Sequence, residues 1–259
     1  MKRLAVLLLF SVLTAGCIGG GASQADEARD AFVENNVSSY VYEGETTYSF
    51  GAPGGPTRTT TIAANATVDR STTSLAAELD SLTEGAGERA ESNTTTYLVN
   101  GTVYSNSVRG GNSTGWVAFR SEGEVENTWE ARDELGVYED LLRNASVESN
   151  GTETVDGKEA HRINVDVGDN RTNLLMSKFR DDASFFEDGE TETFETTVWI
   201  TEDGRLLRAE TRATMVLSGQ QTSTERDLNV ELEFVDTFRY DGVSSVELPG
   251  EAANATVVG

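Results

Sequence analysis

Apolar and polar residues alternate along much of the last third of the chain. From residue 227 to residue 234 every second side chain is apolar, and those between them are acidic or carry an amide. A similar period runs from residue 207 to residue 217, after the turn signal Asp203-Gly204. Since successive side chains of a strand point to opposite faces of a sheet, this period predicts long antiparallel strands with one buried and one solvated face.

The same pattern predicts hairpins earlier in the chain. A turn rich in glycine and proline separates two alternating stretches, residues 40–50 and 58–69. The dipeptides Asn100-Gly101 and Asp156-Gly157 each lie between two further stretches of strand character. Dipeptides of this kind favour the tight turn of a two-residue hairpin, so each predicts a pair of antiparallel neighbours.

Three other stretches have the spacing of helices: residues 25–35, 124–143 and 170–187. The second begins with acidic residues, which the positive end of the helix dipole favours. Residues 71–90 fit two structures, because their leucines have helical spacing whereas two glycines interrupt it, and a continuing strand fits as well. Together these elements predict an α+β domain over residues 25–259, in which a curved antiparallel sheet, a half-barrel of about 8–11 strands, has its apolar face covered by helices.

The first residues have the character of an export signal. Lys2 and Arg3 precede a short apolar run that ends in Thr14-Ala15-Gly16 before Cys17, the one cysteine of the chain. The run is too short to span a bilayer, and small residues at its end are typical of a cleavage site. An ordinary signal cut elsewhere, or an uncleaved anchor, is the alternative.

This segment resembles the lipobox of prokaryotic lipoproteins, in which such a cysteine receives the lipid. Thr14 stands where leucine is commonest, and Leu13 lies one place earlier. The resemblance implies a signal peptide at residues 1–16, a lipid anchor on Cys17 and a short tether at residues 17–24. It also implies a protein held at the outer face of the cytoplasmic membrane, with the membrane as its partner.

The charge of the chain limits its partners. The formal net charge is -24, the pI is near 4.3 and lysine occurs only at positions 2, 158 and 178. Molar salt shortens the screening length to about 3 Å, so such self-repulsion is tolerated there. The composition is similar to that of proteins from halophilic archaea. Nucleic acid is excluded as a partner, because no basic face can meet its phosphates.

Nine Asn-X-Ser/Thr sequons are candidate glycosylation sites for an exported protein. Either they are acceptors, or Asn and Thr are simply the favoured neutral surface residues of this chain. The sequons begin at Asn36, Asn65, Asn93, Asn100, Asn112, Asn144, Asn150, Asn170 and Asn254.

No motif in the chain predicts catalysis, a metal or a cofactor. The loop at residues 111–115 matches the Gly-X-Ser-X-Gly nucleophile elbow, but strands are predicted on both sides of it. The one histidine, His161, is predicted to lie on a strand elsewhere. One histidine and one cysteine leave no soft metal site, and no acidic stretch has the spacing of a calcium loop. The protein is therefore expected not to be an enzyme, although two carboxylates meeting in the fold would leave an envelope hydrolase open.

Eight aromatic side chains are candidates for lining a cavity between sheet and helices. The alternative is that they simply pack the sheet against its helices, as in an ordinary core. They are Tyr40, Tyr42, Trp116, Trp129, Phe179, Phe185, Phe186 and Trp199.

Three stretches resemble the lipoprotein-carrier superfamily, which includes the outer-membrane lipoprotein carrier and mycobacterial lipid-binding lipoproteins. They are residues 155–163 (VDGKEAHRI), residues 198–208 (VWITEDGRLLR) and residues 238–243 (FRYDGV) with Leu248-Pro249. The resemblance implies a half-barrel with a lid of helices that encloses an apolar cavity for acyl or other lipid chains, without catalytic residues. It predicts a hydrophobic, lipid-like ligand. The alternative is a glycosylated structural or interaction module of the cell envelope with a packed core.

Overall fold

A computed structural model describes residues 21–168, 190–218 and 227–258 of the chain. The described residues form one open, curved sheet of 13 strands and three α-helices. The helices are α1 (Gly21–Glu34), α2 (Glu122–Glu130) and α3 (Glu134–Arg143). The strands are β1 (Ser39–Gly51), β2 (Arg58–Asp69), β3 (Ser74–Gly85), β4 (Glu88–Val99), β5 (Thr102–Arg109), β6 (Asn112–Ser113), β7 (Val117–Phe119), β8 (Ser146–Val155), β9 (Lys158–Asp166), β10 (Glu190–Ile200), β11 (Leu206–Leu217), β12 (Leu228–Arg239) and β13 (Thr256–Val258).

Two antiparallel meanders, β1 to β5 and β8 to β12, make up most of the sheet. They are joined in its centre, where β1 pairs with β12 from Val41 opposite Arg239 to Gly51 opposite Asn229. The strand order is β13-β7-β5-β4-β3-β2-β1-β12-β11-β10-β9-β8, with β6 beside β5. Among the described residues, the sheet therefore has two open edges, β13 and β8.

The connection between the meanders places helices over one face of the sheet. Strand β7 lies near one edge and β8 forms the other, so the chain between them must cross the whole sheet. Helices α2 and α3 make this crossing, and α1 packs on the same face. We call this face the inner face and the opposite one the outer face. The main core lies between the inner face and the helices and includes Phe32, Leu75, Leu98, Leu135, Tyr138, Leu142, Ile163, Val198, Ile200 and Phe238.

Helix α1 is held at several points along its length. Ala25, Ala28 and Phe32 are buried in the main core. The Arg29 guanidinium donates a hydrogen bond to the carbonyl oxygen of Ala145 at 3.2 Å. Beyond the last helical residue, the Asn35 amide donates to backbone carbonyl oxygens of the β10–β11 turn at 2.9 and 3.0 Å. The helix begins at Gly21, inside the range predicted as a tether, so only the first residues of that range precede it.

A half-buried arginine fixes α3 to the sheet. Arg70, directly after β2, places Nε 3.0 Å from Asp133 Oδ1 and Nη1 2.7 Å from Glu139 Oε1. Asp133 is also the N-cap of α3. Gly136 is needed beside this pair, because a Cβ there would lie 2.9 Å from Asp133 Oδ2 and 3.3 Å from Arg70 Nη2. The glycine that weakens α3 as a helix thus permits its attachment.

The predicted class and the local elements are largely confirmed. The helix at residues 25–35 and the hairpins at both predicted dipeptides are present. The ambiguous residues 71–90 form β3 and the start of β4. The helix predicted at 124–143 is two helices, because the chain turns at residues 131–133 and starts again at the Asp133 cap.

The sheet is larger than the predicted 8–11 strands, since it has 13. Two additional strands, β6 and β13, have only two and three residues, which is too short for a period to reveal. Strand β13 also pairs with β7 in parallel, so the sheet is not wholly antiparallel. The signal segment, Cys17 and the helix predicted at residues 170–187 lie outside the described residues. Among the described residues, no helix is long and apolar enough to cross a membrane.

Replacing Arg70 by Lys is expected to lower the free energy of unfolding by about 2–4 kcal/mol, because a single ammonium cannot satisfy both partly buried carboxylates. Urea unfolding in molar salt measures this. Arg89→Lys is the matched control: Arg89 also bridges two carboxylates, but its side chain is 60% exposed. We expect it to leave the urea midpoint unchanged, because an exposed ion pair contributes little. Equal effects of the two substitutions would contradict the role given to Arg70.

Candidate ligand-binding face

The inner face is aromatic and tightly packed at the end that the helices cover. Phe238 lies against three tyrosine rings, with centroid distances of 5.9 Å to Tyr40, 5.6 Å to Tyr42 and 6.0 Å to Tyr138. Tyr40 and Tyr42 come from β1 and Tyr138 from α3, so sheet and helix share one aromatic cluster. This end of the inner face is a filled core rather than a cavity.

A buried carboxylate lies next to the aromatic cluster. Asp236 continues the apolar phase of β12, two residues before Phe238, and is 0% exposed. The Tyr42 hydroxyl donates to its Oδ1 at 2.8 Å, and the Tyr138 hydroxyl donates to its Oδ2 at 2.5 Å. Hydrogen bonds of this kind offset the loss of hydration that a buried charge suffers.

This arrangement requires glycine on the neighbouring strand. Gly44 is the register partner of Asp236 across the β1–β12 pairing. A Cβ at this position would lie 2.0 Å from the Tyr42 hydroxyl oxygen and 2.9 Å from Asp236 Oδ1. Any other residue at position 44 would therefore displace the hydrogen bond between Tyr42 and Asp236.

The tyrosines of this network are held in their protonated form. Burial, followed by the charge of Asp236, raises the pKa of Tyr42 and of Tyr138 well above the ordinary value. Burial and Asp133 likewise raise the pKa of Tyr40, whose hydroxyl donates to Asp133 Oδ1 at 2.8 Å. All three hydroxyls are thus donors to carboxylates over the physiological pH range.

Further from the helices, the inner face of β11 and β12 remains apolar. We call this set the second core cluster. It contains no residue of α1, α2 or α3, and the half-buried side chains of Tyr48, Phe50, Phe194 and Leu228 pack against it. Its members, which are 0–3% exposed, are Ala213, Met215, Leu217, Val230, Leu232 and Phe234.

On β2 to β5 the same end of the inner face is lined by small and hydroxyl-bearing residues. Thr60 pairs with Thr83 at 2.9 Å between hydroxyl oxygens, and Thr94 pairs with Ser107 at 3.1 Å. The inner-face positions of residues 60–68, 75–83 and 90–98 carry no acidic residue, whereas the alternate positions in these stretches include three, Glu78, Asp80 and Glu91. Within these stretches acidic charge is therefore confined to the outer face, and the inner face is neutral.

The predicted cavity residues divide between the two faces. Tyr40 and Tyr42 belong to the main core, and Trp129 packs against it from α2. Trp199 lies on the outer face with Ala160 and Leu207. Its two strand neighbours, Val198 and Ile200, take the inner positions, so the alternation of the strand turns its ring away from the helices.

Trp116 is also on the outer face. Its ring lies 5.8 Å from that of Tyr97, and Tyr97 alternates with Leu98 of the main core. The prediction that Trp116 and Trp199 line a space between sheet and helices is therefore wrong. Phe179, Phe185 and Phe186 lie outside the described residues, so their prediction stays open.

Sequence reasoning missed the network around Asp236. A usable signal was present, because Asp236 and Phe238 continue the phase of Val230, Leu232 and Phe234. An acidic residue in phase with apolar ones indicates a buried carboxylate that needs partners. Those partners, Tyr42 and Tyr138, are distant in sequence and had no local signal.

The sequence resembling a nucleophile elbow does not form one. Ser113 lies on β6 and its hydroxyl donates to Asn106 Oδ1 at 2.8 Å. His161 lies on β9, eight strand positions from β5, the strand with which β6 pairs. Within the described ranges, no group of three or more His, Cys, Asp or Glu side chains is arranged to hold a metal ion.

The sequence matches no known protein family and no curated protein. Three solved structures are distantly similar. An outer-membrane lipoprotein-sorting domain from Vibrio parahaemolyticus is 11% identical and has a TM-score of 0.25, over 86% of this chain and 95% of the other. A β-barrel-like protein from Brucella abortus is 7% identical with a TM-score of 0.28, over 78% and 99%. A LolA-superfamily protein from Nitrosomonas europaea is 11% identical with a TM-score of 0.20, over 88% and 95%. Similarity at these TM-scores is too low to support an argument about function.

Tyr138→Phe is expected to lower the free energy of unfolding by about 1.5–3 kcal/mol, because Asp236 loses a hydrogen bond from a buried donor. The measurement is urea unfolding in molar salt near neutral pH. Tyr97→Phe removes a hydroxyl from the outer face and is expected to change the value by about 0.5 kcal/mol or less. A Tyr138→Phe variant as stable as the wild type would refute the importance of this contact.

Stability is expected to fall above pH about 10, the ordinary pKa of tyrosine. Since the raised pKa values keep Tyr40, Tyr42 and Tyr138 protonated in the folded protein, ionisation there favours the unfolded chain. The stability that these tyrosines contribute is fully present below their pKa in the unfolded chain. It is lost as pH rises towards their pKa in the folded protein. Urea midpoints between pH 8 and 11 test this. The fall of the urea midpoint with rising pH is expected to be shallower for Tyr138→Phe than for Tyr97→Phe. Equal slopes for the two variants would contradict this expectation.

Proposed function

We propose that this protein is a lipid-anchored lipoprotein of the cell surface that binds a hydrophobic ligand without catalysis. The observation that supports this most is the second core cluster. It extends the apolar inner face beyond the helix-covered end and is bordered by half-buried aromatic and aliphatic side chains. A border of this composition is suited to an apolar chain, which would contact the half-buried side chains of Tyr48, Phe50, Phe194 and Leu228 without meeting a charge.

The ligand is proposed to lie at this end only. The helix-covered end is occupied by Tyr40, Tyr42, Tyr138 and Phe238, whose rings are in contact. The inner face of β2 to β4 continues the site sideways, and its positions within residues 60–68, 75–83 and 90–98 carry no carboxylate to repel a bound chain. Ligand size is therefore limited by the part of the inner face beyond Asp236.

The anchor on Cys17 is part of this proposal. Cys17 lies four residues before Gly21, where α1 begins, and α1 is buried in the main core from Ala25 onward. A lipid on Cys17 would thus hold the folded part close to the outer face of the membrane. Mass spectrometry of the N-terminal peptide, purified from the cells that naturally produce the protein, tests this: an unmodified Cys17 would end the anchoring proposal.

A second candidate function is supported by a different observation. Val257 and Val258 on the edge strand β13 are 55% and 44% exposed, and they are the exposed large apolar side chains of the described residues. An apolar edge strand is suited to contact with another protein. An envelope interaction module with no ligand would use this edge, and its inner face would be filled by its own side chains.

Ligand binding is tested with a fluorescent apolar probe, N-phenyl-1-naphthylamine, displaced by dodecanol in molar salt. We expect Leu228→Gln to weaken probe binding about 3–10-fold, because a half-buried contact of the second core cluster becomes polar. Val216→Gln is the matched control, as Val216 is half-buried on the outer face of the neighbouring strand. The interaction module is favoured instead if the wild type binds no probe and the natively purified protein carries no lipid by mass spectrometry.

A further inference from the structure

The asparagine amides of the sequons in the described residues make different hydrogen bonds. Asn93 is half-buried, and its amide donates to Glu78 Oε1 at 2.8 Å and to Asp80 Oδ1 at 2.9 Å. Attachment of a sugar removes one of the two amide hydrogens, so a glycan on Asn93 would break one of these bonds. Asn150 is exposed, and its amide makes a single long bond of 3.4 Å, to Asn164 Oδ1.

Asn150 also lies at an irregular point of an open edge. Strand β8 is the last strand of the sheet, and its pairing with β9 skips from Ser149 to Thr152. Asn150 and Gly151 thus have no ladder partner, and Gly151 has a φ of +88°, which favours glycine. The bulge separates the acceptor residue from the regular ladder.

A polar groove of about 680 Å³ is lined in part by this asparagine. It extends over β8, β9, β10 and β11, and most of its polar lining lies on the outer face. The Thr197 hydroxyl donates to Asn164 Oδ1 at 3.3 Å, and the Arg162 guanidinium lies over the Trp199 ring at 5.7 Å. The groove is lined in part by Glu148, Asn150, Arg162, Asn164, Thr197 and Glu210.

This lining matches the hydrogen-bonding groups of a sugar. Sugar hydroxyls both donate and accept, and the groove offers guanidinium donors, carboxylate acceptors, and amide and threonine groups that do both. A phosphate-bearing ligand would meet Glu148 and Glu210, which repel it. An apolar ligand would leave these polar groups without partners.

We infer that Asn150 carries an N-linked glycan whose first sugars lie in this groove on the outer face. The inference depends on the proposed function in one respect, because both require that the protein is exported.

In the modification, a bond forms between the Asn150 amide nitrogen and the anomeric carbon of a sugar. The bond from that carbon to its phosphate leaving group breaks, and the amide loses one proton. The donor is a lipid-linked sugar phosphate or diphosphate used by a cellular glycosyltransferase. The remaining N–H of Asn150 stays available to Asn164.

A glycan in this position would have two effects on the protein. It would cover the bulged part of the open edge strand β8, where another strand can otherwise pair. It would also add contacts to β9 and β10 that the bare polypeptide lacks. Glycosylation of Asn150 is thus expected to stabilise the fold, whereas glycosylation of an exposed loop such as that of Asn36 is expected to leave stability unchanged.

The first test is glycopeptide mass spectrometry of the protein purified from the cells that naturally produce it. Trypsin leaves Asn144 and Asn150 in one peptide, residues 144–158, and cleavage after Glu148 separates them. We expect Asn150 to be glycosylated and Asn93 to be unmodified. An unmodified Asn150 overturns the inference. The lipid on Cys17 is read from the N-terminal peptide of the same sample, so a lipidated protein without sugar on Asn150 refutes this inference alone.

The second test separates a seated glycan from one that projects into solvent. Thr152→Ala destroys the sequon and keeps Asn150, whereas Thr152→Ser preserves the sequon. Produced in the same cells, Thr152→Ala is expected to have a Tm about 2–4 °C below that of Thr152→Ser. In an Asn164→Ala background this difference is expected to shrink to about 1 °C or less. An unchanged difference, or none in either background, would overturn the placement of the sugars in the groove.

Discussion

The pairing of β1 with β12 is the contact on which the rest of the structure depends. It joins the first strand of one meander to the last strand of the other, from Val41 opposite Arg239 to Gly51 opposite Asn229. Without it the chain would form two smaller sheets, each with an additional open edge. With it, β7 and β8 lie towards opposite edges, and the chain between them has to cross the sheet as α2 and α3. The inner face and its core are therefore consequences of one long-range pairing.

The same pairing brings together the groups that most restrict the sequence. Gly44 and Asp236 are register partners in it, and so are Tyr42 and Phe238. A shift of the register by one residue would turn Asp236 to the outer face and Phe238 with it, because neighbouring positions point to opposite sides. Tyr42 and Tyr138 would then lose their acceptor. The buried carboxylate thus favours one register over its neighbours, in addition to the apolar pattern that both strands share.

Local features of the sequence were sufficient to predict the local elements of secondary structure. Asn100-Gly101 and Asp156-Gly157 lie at hairpin turns, and the alternation of residues 228–234 marks β12, because turn chemistry and strand period act over a few residues. The two tryptophans were misplaced for a different reason. Trp199 lies between Val198 and Ile200, and three successive apolar residues do not show which face each takes. Partners distant in sequence, such as Tyr138 for Asp236, depend on the crossing of the sheet, and no local pattern indicates that path.

The two faces of the sheet differ in character: the outer face carries charged side chains, and the inner face is packed in the core. The outer face carries Glu78, Asp80 and Glu84 of β3 and Glu91 of β4. It also carries the ion pairs between Arg212 and Glu233 and between Arg239 and Glu43. Surface pairs of this kind contribute little individually, and high salt screens them further. The inner face cannot depend on salt in this way, since Asp236 is shielded from ions as well as from water. Hydrogen bonds from the Tyr42 and Tyr138 hydroxyls, which are fixed in the core, replace its lost hydration. The Asp236 network thus differs from the outer-face pairs in physical kind: salt concentration acts mainly on the outer face, and pH acts on the inner face through its tyrosines.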